Sequence, residues 1–199
     1  MRPGTQAYAR DNGTYGLATL RSRHVTVRGS LLSLSFRGKH GVLQRVELHS
    51  RRLAQIVRAM LRMPGPELFK FRNYEGEVLD LQTRRLNAYV KQAMGSRFSA
   101  RDFRTWVGTL VCAAELKRCG VVPEPDRRAA VGVALRETAR VLGNTPAVAR
   151  ESYVHPLVVD AYMRGRVVTV ALADPTAWAD HVPNGLTRAE RALVRLLEG

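Results

Sequence analysis

The sequence predicts a mainly α-helical domain with a small antiparallel β-sheet near the N-terminus, which is an α+β fold class. Period-two alternation of apolar and polar residues is concentrated between His24 and Leu48, as expected for strands with one buried face. After this stretch, apolar residues recur at the spacing of amphipathic helices. The chain has 199 residues, 45% of them hydrophobic, which is enough to bury a sizeable core.

The alternating stretch is expected to form three short strands. Two glycine-containing segments, Gly29-Ser30 and residues 38–41, separate these strands and favour tight turns. Because such short connections can join only neighbouring strands that run in opposite directions, antiparallel pairing follows. The predicted strands centre on residues 25–27, 32–36 and 42–46.

The helical part of the chain contains recognisable start and stop signals. Gly95, Gly120 and Gly143 each follow an apolar-periodic run, a position where glycine commonly ends a helix. Ser99 and Thr187 precede such runs and are candidate N-caps. The predicted helices are 50–63, 80–94, 99–120, 124–143, 154–165 and 186–199, with a short mixed segment at 67–78 and an irregular connection at 166–185.

The charge balance is strongly basic. The chain has 32 Lys and Arg residues against 17 Asp and Glu, a formal net charge of +15. An excess of this size favours polyanionic partners and is consistent with nucleic acid. A proteome rich in arginine would raise the net charge of any of its proteins, so the excess does not by itself identify DNA.

Targeting signals are not apparent. No stretch approaches the roughly 20 apolar residues of a membrane span, and the first residues lack the apolar segment of a signal peptide. Cys112 and Cys119 fall on one predicted helix, without the pattern of a disulfide framework or a CxxC pair. We therefore expect two core thiols and a cytoplasmic protein.

The usual catalytic motifs are also missing from the sequence. The 5 histidines show no i, i+4 pairing, and there is no Walker loop, no GxGxxG before a helix and no GxSxG elbow. Carboxylates are scattered, which disfavours glycosidase pairs and two-metal nucleases. An enzyme that acts on phosphates without a metal ion would depend on arginine and lysine for electrostatic stabilisation, and this chain is rich in both.

The segment LGNTPAVARESYVHP, residues 142–156, has an ordinary local interpretation. Gly143 ends one helix, and Asn144-Thr145-Pro146 predicts a capped restart, with Asn144 as the cap and proline in the first turn. Tyr153 would then be a tyrosine a few residues into the second helix. Nothing within this segment identifies Tyr153 as a nucleophile.

The combination of several segments resembles a known family. In order along the chain occur RPG, NGTYGLATLRSRHV, FRGKHG, RDFRTW and LGNTPAVARESYVHP. Together they resemble the catalytic domain of type IB DNA topoisomerases, in particular the small bacterial and poxvirus-like branch. The resemblance covers residues 2–165, and it implies the catalytic-domain architecture that these enzymes share with tyrosine recombinases.

The resemblance also implies a catalytic set, transferred position by position. It assigns two arginines to Arg2 and Arg104, a lysine to Lys39, a histidine-or-asparagine position to Asn144 and the nucleophile to Tyr153. The arginines and the asparagine amide would hold the non-bridging phosphate oxygens. Tyr153 would attack the scissile phosphate, and Lys39 would protonate the leaving 5′ oxygen.

The implied activity is relaxation of supercoiled DNA through a 3′-phosphotyrosyl intermediate, without ATP, metal or other cofactor. The expected partner is double-stranded DNA. We expect the protein to be a monomer that does not associate with a membrane. Residues 1–165 would form the catalytic domain and 166–199 a C-terminal extension with an amphipathic helix. Because Arg2 is the second residue, we expect a catalytic fragment that lacks the family's N-terminal clamp domain, with Arg2 poorly ordered.

Two alternatives remain open at this stage. Tyrosine recombinases use related chemistry, but their HxxR box corresponds here to RDFR, residues 101–104. That departure, the NTPA and SYVHP segments and the long interval between Arg104 and Asn144 favour a topoisomerase. The second alternative is a basic DNA-binding module without catalytic activity.

Overall fold

The computed structural model describes residues 2–169 and 185–198. The chain divides into two compact units, Met1–Arg101 and Asp102–Gly199. The first unit contains all the strands of the described residues, and the second is built from helices. The predicted fold class, mainly helical with a small antiparallel sheet near the N-terminus, is therefore confirmed.

The first unit contains the predicted three-stranded sheet. Its strands are β1 (Val25–Arg28), β2 (Leu31–Arg37) and β3 (Leu43–His49), antiparallel in the order β1-β2-β3. The register places Leu34 of β2 opposite Val25 on one side and Val46 on the other. Alternate residues of β2 point into the core, so the period-two pattern correctly predicted the buried face.

Three helices and a second, two-stranded sheet complete this unit. They are α1 (Gln6–Asp11), α2 (Arg51–Leu61), β4 (Lys70–Arg72), β5 (Val78–Asp80) and α3 (Thr83–Met94). The core lies between the first sheet, α2 and the segment before β4, and includes Leu20, Val25, Leu32, Leu34, Phe36, Ala54, Val57 and Leu68.

The predicted start of the helix at Asp80 was wrong. Asp80 is the last residue of β5 and is paired with Lys70 of β4, and α3 begins three residues later, at Thr83. The hairpin is closed by Asn73, whose side-chain oxygen accepts hydrogen bonds from the main-chain N–H groups of Glu75 and Glu77. This local turn chemistry, together with strands of only three residues, explains why apolar periodicity did not detect the hairpin.

Lys70 is a lysine buried in the first unit, with only 1% of its surface exposed. Its Nζ donates hydrogen bonds to the carbonyl oxygens of Met63 (2.9 Å), Pro64 (3.2 Å) and Gly65 (2.6 Å). These carbonyls directly follow the C-terminal end of α2, where a cation is favoured by the helix dipole. Lys70 therefore fixes the path of the chain as it leaves the helix.

We expect the substitution Lys70→Met to lower the free energy of unfolding by about 2–4 kcal/mol, because it removes three charge-assisted hydrogen bonds to main-chain carbonyls. Chemical denaturation followed by circular dichroism measures this change. The matched control is Lys91→Met on the exposed side of α3, which is expected to change stability by no more than about 0.5 kcal/mol. Equal effects of the two substitutions would contradict the role assigned to Lys70.

The second unit is a helical body. It contains most of α4 (Ala100–Cys119), then α5 (Glu124–Leu142), α6 (Pro146–Tyr153), α7 (Pro156–Met163) and α8 (Arg188–Glu198). The predicted helices at 99–120, 124–143, 154–165 and 186–199 are confirmed to within a few residues. Ser99 accepts a hydrogen bond from the Arg101 N–H group (3.3 Å), as its predicted capping role requires.

The C-terminal helix belongs to the core of the second unit. Ala192 and Leu193 of α8 are buried in the same cluster as Leu110 of α4 and Val158 of α7. The irregular connection predicted at 166–185 falls mostly on residues 170–184, which lie outside the described residues. The predicted boundary between a catalytic domain and an extension, at residue 165, stays a prediction.

Both cysteines are free thiols, as predicted. Cys112 is buried in α4, and this burial raises the pKa of its thiol to about 12. Cys119 is only partly buried, at the end of the same helix.

Among the described residues, no helix is both long enough and apolar enough to cross a membrane.

Candidate active site

The junction between α5 and α6 carries the first predicted site residue, Asn144. Gly143 adopts a left-handed conformation (φ 62°) that ends α5, and the main-chain N–H of Asn144 donates to the Ala139 carbonyl at 2.9 Å. The cap of α6 is Thr145 rather than Asn144, since the Thr145 hydroxyl accepts from the Val148 N–H group at 3.3 Å. The prediction of Asn144 as the cap was wrong, because proline at the first helical position makes the residue directly before it the cap.

Tyr153 and Arg104 are in direct contact in the second unit. Tyr153 is the last residue of α6 and is half-buried. Arg104 projects from α4 with only 6% of its surface exposed, and its guanidinium carbon lies 4.9 Å from the centroid of the Tyr153 ring. This is the geometry of a cation–π contact, so the helical packing brings together a cation and the predicted nucleophile.

The Arg104 guanidinium is held by the end of α5. Its Nη2 donates to the Leu142 carbonyl at 2.9 Å, two residues before Asn144. Within the described residues, the buried Nε of Arg104 has no hydrogen-bond partner. A buried donor of this kind is costly unless a ligand satisfies it, and an anionic oxygen is the acceptor that a guanidinium binds best.

The main chain that follows Tyr153 is attached to α4. The Thr109 hydroxyl accepts a hydrogen bond from the His155 N–H group at 3.1 Å and donates to the Thr105 carbonyl at 2.7 Å. Gly108, also in α4, lies so close to Tyr153 that a Cβ atom at Gly108 would be 2.5 Å from the Tyr153 carbonyl oxygen. Sequence reasoning did not identify either residue, although a glycine inside an apolar helix is a signal of close packing.

The remaining two predicted residues lie in the first unit. Lys39 is exposed, in a 3-10 turn between β2 and β3. The main chain around Arg2 is hydrogen-bonded to residues 17–18. The Arg2 carbonyl accepts from the Leu17 N–H group and the Pro3 carbonyl from the Ala18 N–H group, each at 2.8 Å. The expected poor ordering of Arg2 stays a prediction. The grouping of Arg2 and Lys39 with Tyr153 stays a prediction.

Comparison with known proteins agrees with the motifs. The family described as eukaryotic DNA topoisomerase I, catalytic core, matches residues 1–164. The chain belongs to the type IB DNA topoisomerase family. A DNA topoisomerase 1B of Acanthamoeba polyphaga mimivirus is 29% identical over 170 residues, covering 81% of this chain and 51% of that protein. DNA topoisomerase I of monkeypox virus is 26% identical, and DNA topoisomerase 1B of vaccinia virus (strain Copenhagen) 25%, each over 163 residues, 80% of this chain and 49% of the viral protein.

These relatives support the poxvirus-like part of the predicted branch, whereas the bacterial part stays a prediction. The chain spans about half the length of each of these viral topoisomerases. The matched region contains the contact between Arg104 and Tyr153 and the junction that carries Asn144.

A carboxylate outside the matched region attaches α8 to α4. Glu190 Oε1 accepts from the Trp106 indole N–H at 2.9 Å, while Glu190 Oε2 accepts from the Thr187 N–H at 2.8 Å. The Thr187 hydroxyl accepts in return from the Glu190 N–H at 3.2 Å, so the two residues form a capping box. Thr187 was predicted as the cap, but the contact with Trp106 was not.

The hydrogen bonds to Glu190 decide its protonation. Burial alone raises the pKa of this carboxyl, but the hydrogen bonds from Trp106 and Thr187 outweigh burial and lower it below its ordinary value. The charged form is therefore the one that holds α8 against α4.

In the described ranges, 2–169 and 185–198, no group of three or more His, Cys, Asp or Glu side chains is arranged to hold a metal ion.

Proposed function

We propose that this chain carries the catalytic domain of a DNA topoisomerase that cleaves and rejoins one strand of duplex DNA. The contact between the buried Arg104 guanidinium and the Tyr153 ring is the observation that supports the proposal best. The family match over residues 1–164 supports the same activity. The viral relatives are named as DNA topoisomerases, which is consistent with double-stranded DNA as the substrate.

The proposed reaction exchanges one phosphodiester for another. The Tyr153 hydroxyl oxygen forms a bond to the scissile phosphorus while its proton is lost to solvent, and the bond from phosphorus to the 5′ oxygen breaks. The departing 5′ oxygen takes up a proton and leaves as a hydroxyl. Rejoining reverses these steps, and because the two esters have similar energies, the cycle needs no ATP.

Arg104 is suited to stabilise the transition state of this exchange. Negative charge develops on the non-bridging oxygens, and cationic donors already held in place stabilise it most effectively. Burial of Arg104 and its hydrogen bond to Leu142 fix the guanidinium before DNA binds. The planar group can then offer two parallel N–H donors to a phosphate, with the Asn144 amide as a further donor.

Arg2 and Lys39 are proposed on the resemblance alone. Lys39 is the candidate acid for the leaving 5′ oxygen, and Arg2 is the second phosphate ligand. The net charge of +15 is consistent with binding to a duplex. We further propose that the protein acts as a monomer, without a metal ion or other cofactor, in the cytoplasm in association with the nucleoid.

Relaxation of a supercoiled plasmid in EDTA and without ATP tests the proposal. We expect the linking number to change and, after an SDS quench, a fraction of the DNA to remain covalently bound to protein at its 3′ ends. A non-catalytic DNA-binding module would retard the plasmid in a gel and leave the linking number unaltered. That second result, at protein concentrations that saturate the DNA, would contradict the proposal.

A further inference from the structure

Two side-by-side residues of α4, Gly108 and Thr109, meet the main chain at the end of α6. Gly108 lies one helical turn beyond Arg104 and therefore on the same face of the helix. Tyr153, the final residue of α6, lies against this face. The same helix thus contacts both the ring and the main chain of the predicted nucleophile.

Gly108 permits this close approach. A Cβ atom at residue 108 would lie 2.5 Å from the Tyr153 carbonyl oxygen and 3.2 Å from the Tyr153 Cβ. The first distance is too short for any real contact, and the obstructing atom belongs to the backbone, which cannot rotate away. Glycine is a poor helix former, so its presence in the middle of α4 is best explained by this contact.

Thr109 supplies a hydrogen bond that neither short helix can make internally. The His155 N–H group lies between α6 and α7, and the buried Thr109 hydroxyl accepts from it at 3.1 Å. The hydroxyl hydrogen is directed to the Thr105 carbonyl at 2.7 Å, so the oxygen lone pair remains available for His155. Thr109 is only 2% exposed, so this hydrogen bond is largely shielded from solvent.

We propose that Gly108 and Thr109 are positioning residues that set the distance between the Tyr153 hydroxyl and the phosphate held by Arg104. Neither residue touches the reacting atoms, and both act through the main chain at residues 153–155. The proposal rests on the proposed role of Tyr153 as nucleophile. A misplacement of about 1 Å can lower the rate of a positioned reaction about 100-fold, so the contact has consequences for the rate of strand cleavage.

The first test compares Thr109→Val with Thr138→Val. Thr138 is also buried in a helix and donates to the carbonyl four residues earlier, Ala134, at 2.8 Å, but it makes no hydrogen bond to the α6–α7 junction. With protein in excess over supercoiled plasmid, we expect Thr109→Val to slow covalent-complex formation about 10- to 100-fold without weakening DNA binding. Thr109→Ser, which keeps the hydroxyl, restores the rate, and Thr138→Val retains it.

A matched pair of glycine substitutions tests the close approach. Gly132 of α5 has room for a Cβ atom, whose nearest neighbour would be the flexible Arg136 side chain at 3.4 Å. Gly132→Ala is expected to fold and cleave DNA like the original protein. Gly108→Ala is expected to slow covalent-complex formation at least as much as Thr109→Val.

Amide hydrogen exchange gives a readout that does not depend on activity. In Thr109→Val, we expect the His155 amide to exchange faster with deuterium in NMR spectra, whereas Thr138→Val leaves its protection unchanged. If the original protein forms no covalent complex, the proposed function fails, and the exchange rates still decide whether Thr109 holds the junction.

Two results would overturn the inference. One is a Thr109→Val protein with the original cleavage rate and the original protection of the His155 amide. The other is an equal loss of rate in Thr109→Val and Thr138→Val, because this would indicate general destabilisation rather than positioning.

Discussion

The substitution Tyr153→Phe is expected to abolish covalent trapping of DNA and to lower the relaxation rate by at least about 10⁴-fold, the order of effect seen when a nucleophile is removed. It deletes one oxygen atom and leaves the aromatic ring, so the cation–π contact with Arg104 at 4.9 Å is preserved. The variant should fold and bind plasmid like the original protein. Gel retardation and SDS-trapping assays on the same preparations measure the two properties separately.

Tyr162→Phe is the matched control for this experiment. The Tyr162 hydroxyl, also in the second unit, donates to the Gly120 carbonyl at 2.8 Å. Its removal is expected to cost about 1 kcal/mol of stability and to leave strand cleavage intact. If Tyr153→Phe relaxed DNA at the original rate, another residue would be the nucleophile and the proposed reaction would be wrong.

Arg104→Ala is expected to lower the rate of covalent-complex formation about 10²- to 10³-fold, because a preorganised donor to the transition state is lost. Arg104→Lys keeps a positive charge but not the planar fork of donors, so it should recover only part of the rate. Single-turnover cleavage at saturating protein measures both effects without a contribution from DNA affinity.

An exposed arginine on the same helix provides the comparison. Arg118 has a side chain 70% exposed and is paired with Glu115 one turn away. Arg118→Ala should change the cleavage rate little, since it is remote from Tyr153 and surface ion pairs contribute little to stability. Equal losses in Arg104→Ala and Arg118→Ala would mean that overall positive charge, and not the position of Arg104, determines the rate.

The sequence predicted the larger elements because their patterns are local. Period-two alternation located the three-stranded sheet, and glycine after apolar runs located the ends of α4 and α5. The hairpin of β4 and β5 was not predicted, since three-residue strands are too short to show alternation. The buried Lys70 was not predicted either, because burial of a lysine depends on carbonyls that only the folded chain brings to it.

The candidate site was predicted only in part. Tyr153 has no unusual local pattern, and its assignment depended on the order of several motifs along the chain. Arg104 could equally have been an ordinary arginine at a helix surface, until packing showed it buried against the Tyr153 ring. Thr109 and Gly108 were not predicted, because their contacts join segments more than 40 residues apart, which no periodicity records.

The short helix α6 gives a physical meaning to the interval between Asn144 and Tyr153. The helix is capped by Thr145 at one end and finishes at Tyr153. The number of residues between Asn144 and Tyr153 therefore also fixes the direction in which the Tyr153 side chain leaves the helix axis. Each helical residue advances the chain by about 1.5 Å and turns it by about 100°. One inserted residue would rotate the tyrosine ring away from Arg104, whereas conservative exchanges on the exposed side of α6 would leave its orientation unchanged.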